Sequence, residues 1–192
     1  MCRLKKVLYG MNIFDREYKK YDAWYERNQF AYLSELEALK KVVPKNKTGL
    51  EIGVGTGRFS APLHISAGID PSFGMLKIAR QRGVNVYQGF GEDLPFADGV
   101  FDYAVMINTL CFVHDPIKVL EESWRVLKDQ GELIIGFIDK DSFLGRFYQK
   151  KKSEFYKAGF FLSTPDVVEM LQKTGFNQNG YNQTISVFPE EM

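Results

Sequence analysis

The sequence predicts an α/β domain of three αβα layers on a doubly wound, mostly parallel sheet. Three observations carry this. Short apolar runs alternate with amphipathic stretches, the order that sets parallel strands between covering helices. The runs "TGLEIGVG" (48–55) and "FDYAVMIN" (101–108) are apolar nearly throughout, as strands covered on both faces must be. Several runs close on a glycine or a polar residue, and such strand ends gather at one edge of the sheet, where ligands bind.

The elements follow in order. The stretch 14–28, "FDREYKKYDAWYERN", places Tyr18, Tyr21 and Tyr25 at i, i+3 and i+7, one stripe of a helix. The first strand ends in glycines, and "ISAGID" is a second strand ending at Asp70. Only residues 58–64 separate Gly57 from that strand, with Pro62 among them. The first crossover is therefore a cramped helix of two turns at most, beginning in the glycine loop. "PSFGMLKIARQRG" suits a helix from Pro71 to a stop at Gly83. "VNVYQG" is a third strand and "FDYAVMIN" a fourth. Asp115 caps the next helix, with Ile117, Leu120, Trp124 and Leu127 as its apolar stripe and Gly131 as its stop. "GELIIGFI" is a fifth strand, Thr164-Pro165 opens a helix ending at Gly175, and "GYNQTISVF" (180–188) is a weaker last strand.

At 192 residues one domain is expected, with 1–46 a helical cap, 47–139 the ligand-binding core and 140–192 a cover segment, helix and last strand. No run approaches the roughly 18 apolar residues of a spanning helix, and "MCRLKKVLYG" has no apolar signal region. Cys2 and Cys111 form no disulfide framework and no CxxC metal pattern, so a reducing, cytoplasmic setting without metal is expected. The balance of 25 Lys+Arg against 24 Asp+Glu, net +1, gives no global field for nucleic acid. Clusters such as Lys40, Lys41, Lys45 and Lys47 read as solvated faces.

The loop "GLEIGVGTGRF" carries the chemistry. A triphosphate loop needs GxxxxGK[ST], which is absent. A dinucleotide fingerprint needs G-x-G-x-x-G, but the sixth position is Arg58 from Gly53 and Ser60 from Gly55. The pattern present is E-x-G-x-G-x-G, "EIGVGTG". Glycines at 53, 55 and 57 let backbone approach a ligand closely, and Glu51 offers an acceptor to a cation. Asp70, 19 residues after Glu51, can take both hydroxyls of a ribose. The glycine loop, Asp70, "GFGED" and Asn108 all follow strands and converge on one edge.

These motifs, with "GIDPSFGML", "GEDLPFADGVFDYAV" and "EESWRVLKDQGELIIG", resemble those of class I S-adenosylmethionine-dependent methyltransferases. They are most similar to the UbiE-like group acting on small molecules. The resemblance spans about Leu50 to Phe137 and implies a Rossmann-like fold that binds S-adenosylmethionine and releases S-adenosylhomocysteine. It places Gly53, Gly55 and Gly57 beneath the methionine part with Glu51 nearby, Asp70 on the ribose hydroxyls with Pro71 among the cofactor-binding residues, and Met75 beside the adenine. The family's acidic-then-small pair is here Phe90-Gly91, so adenine is expected to stack on Phe90 or bond to Glu92 or Asp93. Tyr21, Trp24 and Tyr25 correspond to the family's N-terminal lid, and the aromatic segment 141–163 to its substrate cover. The implied reaction is methyl transfer to a small acceptor through an amine, hydroxyl or carbon nucleophile. An RNA or protein acceptor, or a non-catalytic cofactor-binding role, is the alternative. Neither nucleic acid nor membrane is an expected partner. No catalytic residue is named: His64 precedes a strand, His114 adjoins a cap, and Cys111 and Phe112 stand where related sequences often carry histidines. Catalysis by proximity and desolvation is expected. The fold usually ends in an antiparallel hairpin, and too little sequence follows "GYNQTISVF" to complete it, whether by truncation or as an open edge.

Overall fold

The computed structural model describes residues 2–151 and 153–184, with side chains from Ile13 onward. Eight helices and five strands succeed one another among these residues. Helix α1 (Cys2–Arg27), kinked at Glu17, and α2 (Gln29–Val42) precede β1 (Gly49–Ile52). Then come α3 (Ser60–Leu63), β2 (Ala67–Asp70), α4 (Phe73–Gln81), β3 (Val86–Gln88), β4 (Phe101–Ile107), α5 (Pro116–Val126) and β5 (Leu127–Gly136). Helices α6 (Phe143–Lys150), α7 (Glu154–Ala158) and α8 (Thr164–Lys173) follow.

The sheet order is β3-β2-β1-β4-β5, every described pair parallel. Strand order reverses between β1 and β4, and the loops after them open at the switch point where such sheets bind ligands. Alternation along β4 shows how both faces are covered. Ala104 and Met106 join Leu50, Ile52, Val119 and Leu120 on one side. Tyr103, Val105 and Ile107 join Tyr25, Leu36, Leu39 and Phe59 on the other. The α1–α2 pair is thus part of the core wall, not an appendage.

The first crossover, α3, has four residues, as the short spacing required. Three sequence expectations are corrected. Helix α5 ends at Val126, not Gly131, because Leu127 already pairs with Phe101 in the sheet. Its buried face is Pro116, Val119, Leu120, Ser123 and Val126, so Trp124 points outward, 53% exposed, against Phe176. The third strand is only Val86–Gln88, since Val84 packs on Ala79 and Leu76 instead. Of the last strand expected at 180–188, residues 180–184 are not strand, and 185–188 lie outside the described residues.

Candidate functional site

The site begins where β1 runs out. Gly53, Gly55 and Gly57 all take left-handed φ values of 76°, 51° and 75°, which side chains with a Cβ adopt at a steric cost. A Cβ at Gly53 would stand 2.3 Å from the Thr109 side chain, whereas one at Gly55 would meet only the Tyr21 ring, at 3.8 Å. Gly55 therefore turns bare backbone toward α1. The loop is held from behind by β2, with Gly53 N and Val54 N donating to the Ile69 carbonyl at 2.8 and 3.0 Å.

Asp70 closes β2 beside this loop. Its Oδ2 accepts from Gly55 N and its Oδ1 from Ser72 N, both at 2.9 Å. Burial pushes its carboxyl up to about 6, against those two bonds and with help from the Asp15 charge. Glu51 is 2% exposed and accepts a hydrogen bond from the Ser60 hydroxyl. Burial pushes it up to about 8, the Ser60 bond opposing and the Asp70 charge adding. Such a carboxyl ionises readily only when a cation approaches. Glu51, Gly53 and Ile107 share a small recess with Tyr21 and Tyr25.

Helix α1 lies over the loop. Asp15 accepts from the Ser72 hydroxyl at 2.6 Å, and a Cβ at Gly74 would come within 2.8 Å of the Tyr18 ring. Asp22 receives Arg58 Nε at 2.9 Å and Arg82 Nη2 at 2.8 Å. Burial works against its charge, yet the two guanidiniums hold its carboxyl well below the usual range. The Tyr21 and Tyr25 hydroxyls are 2.9 Å apart.

The remaining sequence candidates divide. Asn108 sits in left-handed backbone (φ 53°) at the end of β4, its N–H on the Gly136 carbonyl at 2.7 Å, and lines a cavity beside the loop. Phe90 is 47% exposed after β3, with its ring free to stack, and Asp93 is exposed. Gly91 packs too closely on Ile52 and Val119 to carry a side chain. Pro71 lends its carbonyl to Gln88. Two candidates are engaged within the fold in this arrangement. Met75 is 2% exposed in the α4 core, and Glu92 Oε1 is taken by His114 N (2.7 Å) and Asp115 N (3.2 Å), bracing the start of α5. His64 and His114 are both exposed, and neither lines the cavity.

That cavity, ≈ 260 Å³, lies past Asn108 between α1, α2, α6 and α7. Half of its lining residues are aromatic, and Tyr21 and Tyr25 also belong to the glycine-loop recess. Phe14 meets Phe112 edge-on at 4.9 Å and lies 5.6 Å from Phe155. Its one acid is Glu35 of α2, unnoticed in the sequence. The signal was present: Ala31, Glu35 and Leu39 share one helix face at i, i+4 and i+8, with both neighbours buried. Phe155 was visible only as part of an aromatic segment, because its partners on α1, Phe14 and Tyr21, are more than 130 residues away.

Comparison with known proteins identifies the family. A methyltransferase domain family matches residues 50–135. A crystal structure from Thermotoga maritima superposes with a TM-score of 0.89 at 46% identity, covering 94% of this chain and 88% of that one. It is described as a SAM-dependent methyltransferase, possible histamine N-methyltransferase. The chain belongs to the class I S-adenosylmethionine-dependent methyltransferases. An uncharacterized protein of Methanocaldococcus jannaschii is 50% identical to this methyltransferase over 177 residues, covering 91% of this chain and 86% of the relative. The demethylmenaquinone methyltransferase of Bacillus licheniformis is 31% identical over 139 residues, covering 64% and 59%. The methyltransferase is thus an enzyme that uses S-adenosylmethionine. Among its described residues no helix is long and apolar enough to cross a membrane, and no His/Cys/Asp/Glu group is placed to hold a metal.

Proposed function

We propose that this enzyme methylates a small molecule enclosed in the aromatic cavity. The observation that carries this is the cavity itself. It is concave, mostly ring-lined, and shares Tyr21 and Tyr25 with the recess of the glycine loop. At ≈ 260 Å³ it lies at the small end of ligand sites and suits a metabolite rather than a polymer. The description of the T. maritima relative supports an amine among the possible acceptors.

The residues present fit the cofactor. Gly55 leaves its backbone open to a ligand, Asp70 stands beside it with lone pairs left for ribose hydroxyls, and Phe90 offers an exposed face for adenine. Gly53 and Gly57 shape the loop, and Glu51 waits in the recess for a cationic group. When bound, S-adenosylmethionine supplies a methyl group on a sulfonium leaving group. Tyr21, Trp24 and Tyr25 close over both partners and exclude water. Holding the acceptor in line can supply up to about 7–11 kcal/mol of the barrier, so a strong general base is not demanded.

The test is methyl transfer from labelled S-adenosylmethionine to a panel of amines, phenols, quinone precursors and tRNA. Label on one of the small molecules is expected. Label only on tRNA or on polypeptide would overturn the reading.

A further inference from the structure

Within the small-molecule reading, one residue of the cavity has no structural task. Glu35 projects from α2 into a chamber of aromatic rings. No hydrogen bond or ion pair to it exists among the described residues, unlike Asp22, Glu122 and Asp166, each tied to a cation. An unpaired acid walled by rings costs stability and so calls for a ligand that repays it. The Tyr21, Tyr25 and Tyr156 phenols and the Cys111 thiol of the wall are unsuited to capture a cation by charge. The Tyr21, Tyr25 and Tyr156 phenols are pushed well above their ordinary range by burial, and the Cys111 thiol is pushed up to about 12.

We propose that Glu35 is the anchor for an amine acceptor, holding its ammonium among the rings and taking one of its protons. The body of such an acceptor is apolar or aromatic, since ring faces accept both a cation and a flat hydrocarbon. The proton step balances simply. An N–H bond of the ammonium breaks, the nitrogen keeps the electron pair, and the proton forms an O–H bond on the Glu35 carboxylate. Two opposite charges become two neutral groups, an exchange that a dry cavity favours relative to water. The nitrogen is left with the lone pair that a methyl acceptor requires.

Burial alone pushes Glu35 up to about 7, so the carboxylate forms and the anchor engages as pH rises through that value. The groups facing it are Lys20, Tyr21, Tyr25 and Arg27 from α1, Tyr148 and Lys151 from α6 and its end, Tyr156 from α7, and Cys111 after β4. The Tyr21, Tyr25 and Tyr156 phenols and the Cys111 thiol, pushed up by burial, stay neutral between pH 6 and 8. Of the wall groups shifted by burial, Glu35 is the one whose value falls in that window.

The experiment is calorimetry of the full chain, without cofactor, against phenethylamine and its neutral isostere 2-phenylethanol at pH 6 and pH 8. The wild type should prefer the amine by about ten-fold or more at pH 8, the range of a charged hydrogen bond, and lose most of that preference at pH 6. Glu35→Gln should bind both probes alike at either pH, and Glu35→Met serves if the glutamine variant is poorly folded. Removing Glu35 should raise the melting temperature at pH 8 and not at pH 4 whether or not it holds a ligand, because a raised carboxyl favours folding only while protonated; probe binding left unchanged by the removal would overturn the proposal. Equal affinities in the wild type, no amine binding at all, or a preference that survives both substitutions would overturn the proposal. If label then reaches a phenol or carbon acceptor, only the Glu35 assignment falls. If it reaches only tRNA or polypeptide, the small-molecule reading falls with it.

Discussion

The glycine loop and the aromatic cavity meet at Tyr21 and Tyr25, yet they are built by opposite rules. The loop exposes backbone: three left-handed glycines, held by β2 and by Asp70, leave peptide surface for a ligand to lie against. The cavity hides backbone behind side chains from α1, α2, α6 and α7, with one acid among the rings. A surface made of backbone tolerates few substitutions and suits a ligand that never changes. A surface made of side chains can be rewritten residue by residue, and so suits the partner that differs from one methyltransferase to the next.

The sharpest way to break this contrast is at Gly55. Valine there must take φ near 51° beside the Tyr21 ring, so Gly55→Val should abolish S-adenosylhomocysteine binding, by about a hundred-fold or more, with the circular dichroism spectrum intact. Unchanged affinity by calorimetry would remove the loop from the cofactor site. Asp70→Ala should cost less, about ten- to a hundred-fold, or 1.5–3 kcal/mol for a charge-assisted contact. In the wild type this affinity should fall as pH drops through about 6, because the protonated carboxyl accepts less well. A 2′-deoxyribose analogue should lose nothing further in Asp70→Ala; equal discrimination in both proteins would leave Asp70 a mere brace for Gly55 and Ser72. The smallest effect belongs to His114, which is exposed and whose N–H rests on Glu92. His114→Ala should stay within about ten-fold of wild-type turnover, below what a positioned base contributes. A loss of three orders of magnitude with cofactor affinity unchanged would make His114 the base.

The two regions also differed in how readable they were. β1, β2 and β4 announce themselves as apolar runs, and the loop between them is contiguous, so spacing alone locates Glu51, the glycines and Asp70. The face of α5 was misjudged by one step because Trp124 looks like a core anchor. The helix instead turns small residues, Val119 and Ser123, toward the sheet and leaves the indole against Phe176. Leu127 looked helical too, but it pairs with Phe101 of β4, a contact between segments that periodicity within one segment does not show. Glu92, read as a candidate ligand contact, also braces the start of α5 through the N–H groups of His114 and Asp115 on its Oε1, a role that spacing does not show. Glu35 escaped because an acid on an amphipathic helix is usually solvated; only the rings brought round by distant helices make it unusual.

The pairing of Asp22 with Arg58 and Arg82 gives α1 a further significance. Arg58 directly follows the glycine loop, and Arg82 follows α4, so one carboxylate ties the helix both to the glycine loop and to the end of α4. The same helix supplies Phe14, Trp24 and Tyr25 to the neighbouring chamber. It works as a party wall between two rooms. A shift of α1 that widens one room redraws the outline of the other, so neither occupant can enter or leave past that helix unnoticed by its neighbour.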